Sequence, residues 1–142
     1  MIVSTVRAAS PAWRERLPEN CPPRDAIGLV SQPLLRLVGP SDVCDDDFKS
    51  HQALGRPCLN GRHCEWAACS LFLLGTRKEQ FDTLRKFPTL KDKTGVAYVA
   101  VDQKSGVGKV NTQSKHVSLW MYSSFDPVKH VTKVVPINEY TP

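Results

Sequence analysis

Apolar and polar positions follow two different periods along this chain. From Gly95 onward the period is two. Val96-Ala-Tyr-Val-Ala-Val101 is a run of small and β-branched residues and predicts a strand. Gln103 to Gly108 reads as a turn, with Lys109 to Asn111 pairing back as a hairpin. Lys115 to Tyr122 alternates strictly: Val117, Leu119 and Met121 face one side, His116, Ser118, Trp120 and Tyr122 the other. Val131 to Ile137 predicts the last strand. Upstream, Leu34 to Val38 is a compact apolar run closed by Gly39-Pro40, a further short strand.

The middle of the chain reads as helical. Acidic residues Asp45, Asp46 and Asp47 suit a helix N-terminus and Gly55 a stop, which predicts a helix from about 45 to 54. Arg62 to Leu74 is apolar nearly all round and predicts a buried helix, with Ser70 to Leu74 readable instead as a buried strand. After Gly75, Thr76-Arg-Lys-Glu79 is a capping-box pattern opening a helix to Phe87, with Phe81 and Leu84 on its apolar stripe. Ser10-Pro11 and the residues to Leu17 suggest another short helix. The expected fold class is therefore α+β: central helices packed on a mostly antiparallel C-terminal sheet of about four strands.

Composition narrows this picture without changing it. A chain of 142 residues with 41% apolar and 23% charged residues fits one globular domain, 1–142, able to bury a core unaided. Six of the 11 prolines fall between Pro11 and Pro40, so the N-terminal third, about residues 1–33, is expected to be irregular. The longest apolar run, Ala67 to Leu74, is too short to cross a bilayer. Five cysteines cannot all pair, and Met1 to Ala9 shows no leader pattern. Free thiols and a soluble protein of the reducing cytoplasm are the expectation.

Net charge is +5, and all of it lies after residue 60, where twelve Lys/Arg face seven Asp/Glu. A basic second half suits a polyanion, nucleotide or acidic protein partner, or is simply a solvated surface.

Candidate chemistry is sparse. The face His116, Ser118, Trp120 and Tyr122 combines contact area with hydrogen-bonding tips and is the first binding candidate. Arg77, Lys78, Arg85 and Lys86 on the capped helix form the second, as a basic helix or the second half of a helix-turn-helix. Cys58, His63, Cys64 and Cys69 are zinc-ligand types at poor spacing, and no metal or other cofactor is expected. Cys58, between Arg56 and Arg62, is the most open thiol for a nucleophile. Gly106-Val-Gly108-Lys109 lacks the spacing of a phosphate loop and reads as a turn. Arg36 lies inside an apolar run and must find a partner. With His116, Tyr122 and Glu139 it resembles, in residue types and order only, the inner strands of ADP-ribosyl-transferring folds. That resemblance implies a dinucleotide held by a basic residue, an aromatic and a glutamate. The primary expectation is a small binding or accessory module. The alternative is a small enzyme acting on a nucleotide or nucleic acid, ADP-ribosyl-transfer-like or nuclease-like, with Arg36, His116, Tyr122 and Glu139 as its catalytic groups.

Overall fold

A computed structural model describes residues 12–142. Its frame is one sheet of seven strands: β1 (Ile27–Gly28), β2 (Gln32–Val38), β3 (Cys69–Phe72), β4 (Gly95–Val101), β5 (Gly106–Val110), β6 (His116–Met121) and β7 (Val131–Pro136). The order across the sheet is β1-β5-β6-β3-β2-β4-β7, and every neighbouring pair is antiparallel. Two helices accompany it, α1 (His63–Trp66), barely one turn, and α2 (Lys78–Leu84). No helix among the described residues is long and apolar enough to cross a membrane.

This corrects the α+β expectation. Among the described residues the protein is mainly an antiparallel sheet, seven strands rather than four, and α2 is the one substantial helix. The reason lies in β3. Leu71 packs into one apolar cluster with Leu34, Val38, Val99, Val117 and Leu119, while Phe72 packs into another with Leu35, Leu37, Val96, Phe81 and Tyr140. A central strand buried on both faces shows no alternation, so its sequence resembles a buried helix. The expected helix at 45–54 is a 3-10 turn, Asp45–Phe48, followed by turns. Asp47 is drawn into local bonds, accepting from the Cys44 N–H at 2.9 Å, and such side-chain bonds compete with helix. The expected helix at residues 10–17 begins outside the described residues. Within them, Trp13 forms an isolated bridge with Tyr122. At α2 the capping box does not form: the Thr76 hydroxyl donates back to the Leu73 carbonyl and Arg77 occupies the cap position.

The cysteines need correction too. Cys21 and Cys64 are joined by a disulfide, while Cys44, Cys58 and Cys69 are free. Disulfides persist in oxidising compartments, so the cysteines no longer argue for a reducing cytoplasm. The bond ties the N-terminal segment to α1.

Strand pairing is uneven. β2 pairs with β4 at every position from Gln32 to Val38, but with β3 at one, Leu35↔Phe72. Beyond that bridge the two strands part, and the sheet is split along the seam. At the other end of the sheet β5 runs hard against β6. A Cβ on Gly106, at φ +155°, would collide with the Trp120 carbonyl oxygen, so only glycine admits this hairpin.

Candidate functional site

Where β2 and β3 separate, Arg36 enters the gap. Its Nε donates to the Asp47 carbonyl at 2.8 Å, Nη1 to the Ser70 carbonyl at 2.7 Å and Nη2 to the Lys49 carbonyl at 3.3 Å. The guanidinium thus takes one carbonyl of β3, that of Ser70, and two from in and just after the 3-10 turn, which answers how an arginine sits inside an apolar strand. Among the described residues no carboxylate lies within ion-pair distance of it.

Beside it opens a cleft of about 150 Å³. Its polar wall carries Arg36, His51, Arg56, Ser70 and His116, and its apolar wall Leu37, Phe72, Leu84 and Leu90. Lys49 and Lys93 also line it but are partnered, Lys49 by Asp46 at 2.7 Å and Lys93 by Asp47 at 3.8 Å. Arg36 and Arg56 are left as the unneutralised charges of the cleft.

Both imidazoles are shifted toward the neutral form. His51 stacks on Trp66, ring centroids 4.2 Å apart, and its Nδ1 is 2.9 Å from Nη1 of Arg56. A guanidinium can only donate, so His51 Nδ1 accepts and its proton sits on Nε2. Burial, then Arg56, then Arg36 push the His51 pKa below the ordinary histidine value. His116 Nε2 lies 3.0 Å from the Ser70 hydroxyl, and its ring meets Phe72 edge-on. Burial lowers its pKa as well, Arg36 adding to the effect and Glu65 opposing it. The cleft therefore offers fixed cations together with neutral imidazoles, a setting that favours an anion carrying a flat ring.

Of the residues singled out from sequence, the structure brings Arg36 and His116 together through Ser70. It does not bring the others there. Tyr122 packs on Trp13, centroids 5.1 Å apart. Glu139 is exposed in the 3-10 turn after β7. Of the four residues that carry the ADP-ribosyl-transferring resemblance, Arg36 and His116 line the cleft and Tyr122 and Glu139 lie outside it. Trp120, expected on an open aromatic face, is 1% exposed, and its Nε1 donates to the Cys64 carbonyl at 3.0 Å. The segment ending in α1 covers that face, which alternation alone could not show. Ser118 is buried beside Ser70, its cross-strand partner.

The basic helix residues stand apart from one another. Lys78 pairs with Asp82 at 3.0 Å, Arg77 and Lys86 are exposed, and Nε of Arg85 is buried without a hydrogen-bond partner. Because residues 69–72 form a strand, the helix-turn-helix reading falls. The zinc-type residues disperse: Cys64 is in the disulfide, Cys69 is buried with its pKa raised by burial, and the Cys58 thiol faces Asn60. Among the described residues no three His, Cys, Asp or Glu side chains are placed to hold a metal ion.

Sequence reasoning missed Ser70, His51, Arg56, Lys49 and Lys93 as a group. They come from two separate loops and one strand, and no spacing rule links them. The one available signal was Arg36, whose need for acceptors requires carbonyls nearby. No protein-family model, no curated protein and no solved structure matches this chain.

Proposed function

We propose that this domain is a binding module for a small anionic ligand that carries a planar ring, a nucleoside monophosphate being the simplest probe. The observation that carries the proposal is the convergence on one cleft with an apolar wall of Arg36 and Arg56, without carboxylate partners among the described residues, and of His51, whose Nδ1 accepts from Arg56. Guanidinium groups make charge-assisted bonds to phosphate, and an apolar wall with the Phe72 edge suits a ring. The volume lies below the roughly 300–1,000 Å³ typical of cavities that hold whole drug-sized ligands, so the cleft would enclose part of such a ligand and leave the rest in the open. Titration calorimetry with adenosine 5′-monophosphate at low and high salt tests this. Binding that weakens with salt and falls at least ~10-fold in Arg56→Ala is expected, the scale of one charge-assisted contact. No binding at millimolar AMP overturns the reading.

A second reading, a small enzyme acting on such a ligand, is favoured by one contact. At 3.0 Å the Ser70 hydroxyl is within hydrogen-bond reach of His116 Nε2, the geometry of a hydroxyl nucleophile and its base. Turnover of a nitrophenyl phosphate or ester that survives in wild type and vanishes in Ser70→Ala would favour it. Equal rates in the two proteins would remove it.

A further inference from the structure

His116 borders more than this cleft. On the far side of that residue lies a second, open trough of about 640 Å³, lined by Arg62, Lys109, Asn111, Gln113 and Ser114. His116 belongs to the walls of both. The β3–β6 pairing lies between the two spaces: Ser70 lines the inner cleft, and its register partner Ser118 lines the outer trough. The waist between them is thus made of two hydroxyls and one imidazole, and the trough's own cations are paired, Arg62 with Glu65 at 3.5 Å and Lys109 with Asp25 at 3.3 Å.

The two compartments differ in character. The inner one is narrow, with Leu37, Phe72, Leu84 and Leu90 along one wall. The outer one is mostly polar, with Val110 its one apolar lining residue. Its loop is stiffened from within, since the Asn111 side-chain oxygen accepts from the Gln113 and Ser114 N–H groups at 3.0 and 3.1 Å, and Gln80 donates to the Ser114 carbonyl at 2.7 Å. The Gln113 amide and the Thr112 hydroxyl on this loop are exposed.

We infer that the ligand of this site is a two-part molecule, two nucleoside units joined through phosphate, with one unit in the inner cleft, the linker at the His116 waist and the second unit along the 109–114 trough. The inference rests on the anion-binding reading of the inner cleft. A small inner space and a larger, mostly polar trough that share the His116 wall suit a ligand with a compact end and a longer polar end. Each half alone would be held by one set of contacts. Joining them makes the second contact intramolecular, so a linked ligand gains affinity beyond either half. Two sources share this chemistry: a free pyrophosphate-linked dinucleotide and the phosphodiester-linked end of a nucleic-acid strand.

Titration calorimetry on the full chain with three probes tests it: AMP, nicotinamide adenine dinucleotide and the dinucleotide pApA. At least one linked probe is expected to bind ten-fold or more tightly than AMP. Thr112→Ala combined with Gln113→Ala, both at exposed positions, is expected to remove that advantage while AMP affinity stays unchanged. Arg56→Ala is expected to weaken all three. Preference for NAD identifies a free dinucleotide, and preference for pApA a strand end. If AMP binds and neither linked probe does better, the two-part ligand is overturned while the anion-binding cleft stands. If none of the three binds, both fall together.

Discussion

Arg36 and Ser70, on neighbouring strands that have stopped pairing, are joined by a 2.7 Å bond from the arginine Nη1 to the serine carbonyl. The bond does for the split seam what a ladder hydrogen bond does elsewhere in the sheet. Asp47 and Lys49 bring two more carbonyls to the same guanidinium. Stability and site are thus built on one side chain. Arg36→Ala strands three partly buried acceptors, and the expected loss is about 2–4 kcal/mol, because unsatisfied buried polar groups cost roughly 1–3 kcal/mol each and the seam is only partly closed to water. Arg36→Lys recovers part of this, since a single ammonium cannot reach three carbonyls in different directions. Urea denaturation measures both. Unchanged midpoints in the two variants would mean that the seam is held by something else.

The disulfide gives a direct chemical count. Alkylation of the unfolded protein without reductant should label three cysteines, Cys44, Cys58 and Cys69, and all five after reduction. Closing a loop across 43 residues restricts the unfolded chain, so reduction is expected to lower stability by about 2–4 kcal/mol. Five labels without reductant would return Cys21 and Cys64 to the thiol pool and restore the argument for a reducing compartment.

Trp120 separates packing from recognition. Its indole is buried and its N–H is satisfied by the Cys64 carbonyl. Trp120→Phe removes that donor and part of the packed volume, for an expected loss of about 1–3 kcal/mol. Because the indole does not line the Arg36 cleft, AMP affinity in the folded variant should match wild type. A large affinity loss with little change in stability would bring back the aromatic strand face as the binding surface.

How much of this could be read from the residues depends on what each element's partners are. β4 and β6 were legible because their patterns answer to local sheet geometry: β-branched runs and strict alternation persist whatever lies above them. The helix around Phe81 was legible in place, though not in its cap, because Thr76 found a carbonyl behind it rather than the N–H ahead. β3 was misread because burial on both faces erases the period that distinguishes strand from helix. The site was half legible. Arg36 announced itself as a charge in an apolar strand, and His116 as an imidazole on the alternating one. His51, Arg56 and Lys93 were silent, since their role comes only from where loops return to the seam, and loop return is set by tertiary packing rather than by local spacing.

The two cleft histidines give the protein a pH response in an unusual window. Both have folded-state pKa values lowered from the ordinary 6.5, principally by burial. The sign follows from proton counting. Below pH 6.5 the unfolded chain takes up protons on these imidazoles before the folded chain does, so stability falls as pH drops from about 6.5 toward the folded values. Above that, both states are neutral and the effect is absent. Carboxylate-driven acid unfolding sets in lower, near pH 4 and below. Denaturation midpoints taken between pH 5 and pH 8 should therefore decline on the acid side well before carboxylates titrate. In the double variant His51→Gln, His116→Gln that decline should flatten, even if the variant is less stable throughout, because neither glutamine titrates. A wild-type profile that stays level down to pH 5 would mean that both imidazoles accept protons in the folded protein as readily as in water. The neutral donor assigned to His51 at the cleft would then be lost as well.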